Sequence, residues 1–221
     1  MKETITFLLS ISISFMFGQM KQKENLSAFL PNGYVIFDKV YGDLNNDGTK
    51  DCVIIIKDTN KSKIVNVEYQ GKLDRNRRGI IVLVNKKSKY ELAAKNYDCF
   101  SSENEDGGVY FSPELYLEIS KGNLYISYGH GRYGYWKYTF KLRNANFELI
   151  GYDSSNNYCP IVNSETSINF LTKRKLRKEN INEHTEESGD EIFKETWTNI
   201  KVDKLLKLSE VKDFDELDLP Y

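Results

Sequence analysis

"YWKYTFKLRNANFELIGYD", residues 135–153, decides the fold. In its first half Trp136, Tyr138, Phe140 and Leu142 alternate with Lys137, Thr139, Lys141 and Arg143. A period of two places the first set on one face of a β-strand and the second on the other. One face is therefore buried and one is wet. "NAN" (144–146) supplies turn formers, and "FELIGYD" returns as a second strand, so the stretch reads as an antiparallel hairpin. The same punctuation recurs outward along the chain. "YVIFDKV" (34–40) precedes "CVIIIKD" (52–58), "GIIVLVN" (79–85) meets "KYELAAKN" (89–96) across "KKS", and "ELYLEIS" (114–120) turns at "KGN" into "LYISY". The expected fold is mainly β: an antiparallel sheet or β-meander of successive hairpins, with little helix beyond an N-terminal signal segment.

The final third is less regular. "SINFLTKRKLRKEN" (167–180) fits a strand or a short helix, "INEHTEESGDE" (181–191) a polar mobile loop, and "IFKETWTNIKV" (192–202) alternates again. "LLKLSEVKDFDELDLPY" (205–221) holds at most one helical turn before an extended tail.

Composition narrows the partners. Lys+Arg total 31 against Asp+Glu 32, a net charge of -1, so no general attraction to nucleic acid or anionic membrane is expected. The apolar run Ile5–Phe17 follows Lys2 and is too short to span a bilayer comfortably; it reads as a signal peptide over residues 1–19. The mature chain then divides into a β domain with its acidic loop, 20–160, and a C-terminal β extension, 161–221, packed on the same domain. The expected location is periplasmic or extracellular, with no membrane span after signal removal. Cys52, Cys99 and Cys159 show no Cys-x-x-Cys spacing. Cys52 opens an apolar strand and reads as a buried small hydrophobe. In an oxidising compartment Cys99 and Cys159, both in loop-like stretches, are the candidate disulfide; three free thiols are the alternative.

"YGDLNNDGTKDCVIII" (41–56) carries the candidate chemistry. Asp43, Asn45, Asp47 and Asp51 stand at positions 1, 3, 5 and 9 of a loop, with Gly48 at position 6 and Thr49 at 7. A hard cation such as calcium takes six to eight oxygens. Acids at alternate positions point inward when the backbone curls, and Gly48 permits the curl. Thr49 would add its carbonyl oxygen. A polar turn needs no acid at every second position, and clustered like charges repel without a cation. An EF-hand would close with Glu at position 12; Ile54 stands there, so the loop runs straight into a strand. An affinity on the order of 10⁻⁴–10⁻³ M is expected, as in extracellular modules.

This stretch resembles the calcium loop of FG-GAP or VCBS-type repeats, which occur in exported and cell-surface β proteins. Asp43, Asn45, Asp47, Thr49 (by its carbonyl) and Asp51 match that pattern. The likeness covers about fifteen residues and implies calcium as cofactor, and export; it implies no reaction. "GIIVLVNKKSKYELAAKN" and "YTFKLRNANFELIGYD" are also similar to parts of small exported bacterial proteins that carry one such loop.

"GHGRYG" (129–134) matches Gly-x-Gly-x-x-Gly, but a strand pattern follows it rather than the helix a dinucleotide site requires. Tyr128, His130, Arg132, Tyr133 and Tyr135 form a possible recognition patch for sugar rings or a protein; aromatics packed on a sheet edge are the alternative. His184 falls in the polar loop, and "KRKLRK" (173–178) reads as a solvated basic face. No nucleophile elbow, zinc-protease helix or phosphate loop is present. The expectation is an exported non-enzymatic protein with a structural calcium loop that binds an unknown protein or glycan at the envelope. A periplasmic inhibitor or immunity-type protein, and a carbohydrate-active hydrolase with scattered carboxylates, are the alternatives.

Overall fold

A computed structural model describes residues 25–104, 114–217 and 219. The expected signal segment 1–19 lies outside the described residues. The described chain is mainly β, with antiparallel strands in successive order and only short 3-10 turns of helix. Four strands make one sheet: β1 (Tyr34–Gly42), β2 (Asp51–Asp58), β5 (Arg78–Lys86) and β6 (Lys89–Phe100), in that spatial order. Seven make the other, in order from β13 to β7: β7 (Glu114–Ser120), β8 (Asn123–Gly129), β9 (Gly134–Arg143), β10 (Asn146–Tyr158), β11 (Ile161–Asn169), β12 (Arg174–Asn180) and β13 (Phe193–Asn199). A small hairpin, β3 (Ile64–Val67) with β4 (Gly71–Asp74), stands apart.

The opening hairpin forms as its alternation demands. β9 pairs with β10 in the register Phe147↔Leu142, Leu149↔Phe140 and Tyr152↔Tyr138. Tyr138, Phe140, Phe147 and Leu149 enter the core between the sheets, together with Val53, Ile55, Ile80 and Val82. The unbroken apolar run of β2 has a different cause. Cys52, Ile54 and Ile56 face away from the larger sheet into a second cluster with Ile81 and Leu83, roofed by Leu26, Phe29 and Leu30 of the leading segment. β2 and the neighbouring β5 are thus buried on both faces, and alternation is lost because each face is apolar. Burying each such Ile contributes about 1.5–3 kcal/mol.

"SINFLTKRKLRKEN" is strand, not helix: it folds as the end of β11 and β12, joined by a tight turn. The division at residue 160 falls in the turn Cys159–Pro160 between two strands of one sheet. After β13 the chain recrosses the sandwich. Val202, Leu208, Val211 and Phe214 enter the inter-sheet core, and one 3-10 turn, Leu208–Glu210, lies on this path. Asn96 holds the tail by donating to the carbonyls of Leu208 (3.1 Å) and Val211 (2.6 Å). All three cysteines are free thiols, so the Cys99–Cys159 bridge is not formed. The expectation failed because Cys99 belongs to strand β6, inside the core, where burial pushes its thiol well up. Cys159 sits in the β10–β11 turn.

Lys57 ties β2 to the β3–β4 hairpin, reaching Asp74 at 2.9 Å and Glu103 at 2.7 Å. Burial raises the Asp74 carboxyl, but the Asn76 backbone N–H and Lys57 outweigh it and hold it below its ordinary value. Its stabilisation is therefore present above the unfolded carboxyl range and is lost as pH falls through the lower folded value. The stability gap between wild type and Lys57→Met should shrink below about pH 4, as read from urea melts at several pH values. A gap constant with pH contradicts this.

Candidate functional site

The acidic loop joins β1 to β2, between residues 42 and 51. Its first acid makes the curl. Asp43 accepts the backbone N–H of Asp47 on one oxygen (3.1 Å) and that of Gly48 on the other (2.8 Å). Asn45 Oδ1 also accepts from Asp47 N (3.0 Å), and Asp47 Oδ1 accepts from Thr49 N (2.8 Å). Gly48 has φ of 82°, a conformation that an L side chain would strain. Hydrogen bonds of this kind stabilise the ionised acid, and those from the Thr49 backbone N–H and the Asn45 side-chain amide (2.8 Å) hold the Asp47 carboxyl below its usual range.

Asp51 differs from the other acids. It is fully buried at the first residue of β2. Its Oδ2 accepts from Leu44 N (2.8 Å) and its Oδ1 from Asn85 N of β5 (2.8 Å). Burial raises its carboxyl above the ordinary value despite those two bonds, and the charges of Asp47 and Asp43 raise it further. The charged groups that raise it are thus both acids of its own loop.

The loop sits where the two sheets meet. Leu44 is buried in the inter-sheet core, β1 runs against β7, and the Asn46 side chain lies so close to Gly122 of the β7–β8 turn that a Cβ there would come within 2.5 Å of it. A fixed loop therefore fixes the sheets.

Among the described residues no group of three His, Cys, Asp or Glu side chains converges as a metal site. The loop oxygens are instead turned to loop amides. Two observations still fit a hard cation. The donor set is all oxygen: Asp43, Asn45, Asp47 and Asp51 side chains and the Thr49 carbonyl. In addition, Asn85 Oδ1 is buried with no hydrogen-bond partner, while its Nδ2 donates to Lys50 O (3.2 Å). Asn85 lines one cleft with Asp47 and Thr49, and Lys86, Lys87 and Lys89 line it too. No feature of the loop stretch itself points to Asn85, because strand pairing alone brings it there.

The aromatic patch divides. Tyr128 is fully buried in β8, in hydrogen-bond contact with Arg78 (3.2 Å) and Ser101 (3.2 Å), so it cannot meet a partner at the surface. It was misassigned because even-numbered residues of β8 face the core: Leu124, Ile126 and Tyr128 alternate inward. His130 lies against the rings of Tyr128 and Trp136. Arg132, Tyr133 and Tyr135 are exposed, the first two on a 3-10 turn, Gly131–Tyr133, that separates two strands rather than a strand and a helix.

Sequence reasoning missed two further features. The first is the seat of Phe214, ringed by Phe100, Trp136, Tyr138 and Phe140. The second is a groove of about 150 Å³ beside Tyr135, lined by Asp153, Glu165, Ser167, Leu176 and Lys178. Only pairing register reveals it, since its residues come from four strands. Comparison with protein-family models, curated proteins and solved structures gives no match for the chain.

Proposed function

We propose that the chain is an exported, non-enzymatic β protein in which one calcium ion braces the loop between the two sheets, and that it binds a partner at the cell envelope. The observation that carries the reading is the buried Asp51 carboxylate. It shares the loop with Asp43 and Asp47, has no cationic neighbour within ion-pair distance among the described residues, and faces a β5 residue whose side-chain oxygen lacks a donor. A divalent cation there would satisfy the charge and the oxygen together. The exposed part of the patch, Arg132, Tyr133 and Tyr135, is the partner-facing surface. Among the described residues no helix is long and apolar enough to cross a membrane.

A second reading, a carbohydrate-active hydrolase, is favoured by one feature. Asp153 and Glu165 are diagonal neighbours on β10 and β11 and share the Tyr135 groove. Diagonal backbone positions stand about 7–8 Å apart, which leaves the side chains room to set their carboxyl groups at glycosidase separations. The experiment is fractionation of cells expressing the full chain, followed by affinity capture from envelope extract with calcium present. The proposal expects a shortened, exported protein that retains one saturable envelope component and releases no reducing sugar from envelope glycan. Cytoplasmic retention of full-length chain sinks it, and sugar release selects the hydrolase.

A further inference from the structure

We propose that the outward face of the seven-stranded sheet is a glycan-binding surface, with Tyr135 as a stacking platform and the groove beside it as one sugar subsite. The inference rests on the envelope-binding reading above and names the class of partner.

The register of the sheet builds the surface. One row across the strands runs Lys137, Asp153, Ser167, Leu176, Trp197; its neighbour runs Tyr135, Ser155, Glu165, Lys178, Glu195. These rows lie on the face opposite the inter-sheet core. Tyr135 is 42% and Trp197 53% exposed, unlike the core aromatics of the other face. Arg174 lies over the Trp197 ring, 4.3 Å from its centroid, and braces the indole against the sheet. Tyr135 on β9 and Trp197 on β13 are four strand spacings apart, about 19 Å. That is the reach of an oligosaccharide rather than a single ring.

The polar groups favour a neutral polyol. Between the two aromatics every acid has a lysine partner, with one acid in excess: Lys137 meets Asp153 (3.4 Å), and Lys178 meets both Glu165 (3.5 Å) and Glu195 (3.8 Å). Ser167 donates to Asp153 (2.8 Å), which fixes that carboxylate. An anionic polymer would gain nothing from this balance. A sugar presents an apolar C–H face to an aromatic ring and hydroxyls to carboxylates and ammonium groups, which is the mixture found here.

The test uses the mature protein with cellotetraose, mannotetraose and chitotetraose in calorimetric titration, and co-sedimentation with envelope before and after protease treatment. At least one tetrasaccharide should bind and compete with protease-stripped envelope. Tyr135→Ala and Trp197→Ala should each weaken binding tenfold or more. Tyr69→Ala, at a fully exposed ring on the β3–β4 hairpin, should bind as wild type. Both test residues are exposed, so circular dichroism should be unchanged. Binding to native but not to stripped envelope, with no tetrasaccharide bound, overturns the glycan assignment and leaves the envelope partner standing. No binding to either envelope overturns both. Unchanged binding by the two variants, or a stable dimer that covers Trp197, also overturns the assignment.

Discussion

Phe214→Ala is expected to cost about 3–5 kcal/mol of folding stability, the range for a Phe removed from a closed core. Phe214 is 1% exposed. Its ring stacks on Phe100 with centroids 5.0 Å apart and meets Tyr138 edge-on at 5.1 Å. The backbone on either side of that ring is also held: Phe214 N–H donates to Cys99 O (3.0 Å), and Tyr138 Oη donates to Phe214 O (3.3 Å). Asp213 pairs with Arg77 at 2.7 Å, and Ser101 donates to Asp215 at 2.8 Å. Losing the ring opens a cavity where the tail closes the sandwich, and the neighbouring polar contacts lose their anchor. Asp215→Asn keeps an acceptor for Ser101 and should change stability by no more than about 1 kcal/mol. Urea denaturation of both variants checks the contrast. A Phe214→Ala protein within about 1 kcal/mol of wild type would show that the tail merely rests on the core.

The tail shows why part of the fold was legible in the sequence and part was not. Strand pairs joined by short turns are local: the residues that define the β9–β10 hairpin are contiguous, and alternation alone sets their faces. The double burial of β2 was readable as an unbroken apolar run, although not what would cover each side. Phe214 carries no such pattern. It stands alone between two Asp residues, and only the path of the chain after β13 brings it back to β6 and β9. Tyr128 was misread because a ring followed by Gly-His-Gly looks like loop, whereas the inward phase of β8 persists to that residue. Cys99 was placed in a loop because the sequence around it is polar; strand β6 in fact continues through it, and Phe100 beside it is also buried. The curl of the acidic loop was legible because the spacing of its acids and of Gly48 is a local property. Asn85 and the Tyr135 groove depend on strand register, which a single sequence does not display.

Asp51→Ala should have the other large effect. It deletes the acceptor of two backbone N–H groups, those of Leu44 and Asn85, at the junction of the sheets. An unsatisfied buried donor costs about 1–3 kcal/mol, so about 2–6 kcal/mol is expected for the pair before any offset. The burial that raises the Asp51 carboxyl offsets part of this loss, because removing an uncompensated buried charge is favourable. Asp51→Asn retains one acceptor oxygen without the charge and should therefore be less damaging than Asp51→Ala in chelator. In calcium the gap to wild type should widen for both variants, because each loses the anionic oxygen while the wild type gains the ion. With a dissociation constant of 10⁻⁴–10⁻³ M, 10 mM calcium would add about 1.4–2.7 kcal/mol to the wild type.

Calorimetric titration of calcium into the chelator-treated protein, beside the same titration of Asp51→Ala, tests the central claim most directly. The account predicts one site of submillimolar to millimolar affinity in the wild type, a higher melting temperature once it is filled, and neither effect in Asp51→Ala. A wild-type protein that takes up no calcium and melts at the same temperature with or without it would contradict the claim that an ion braces the loop between the sheets.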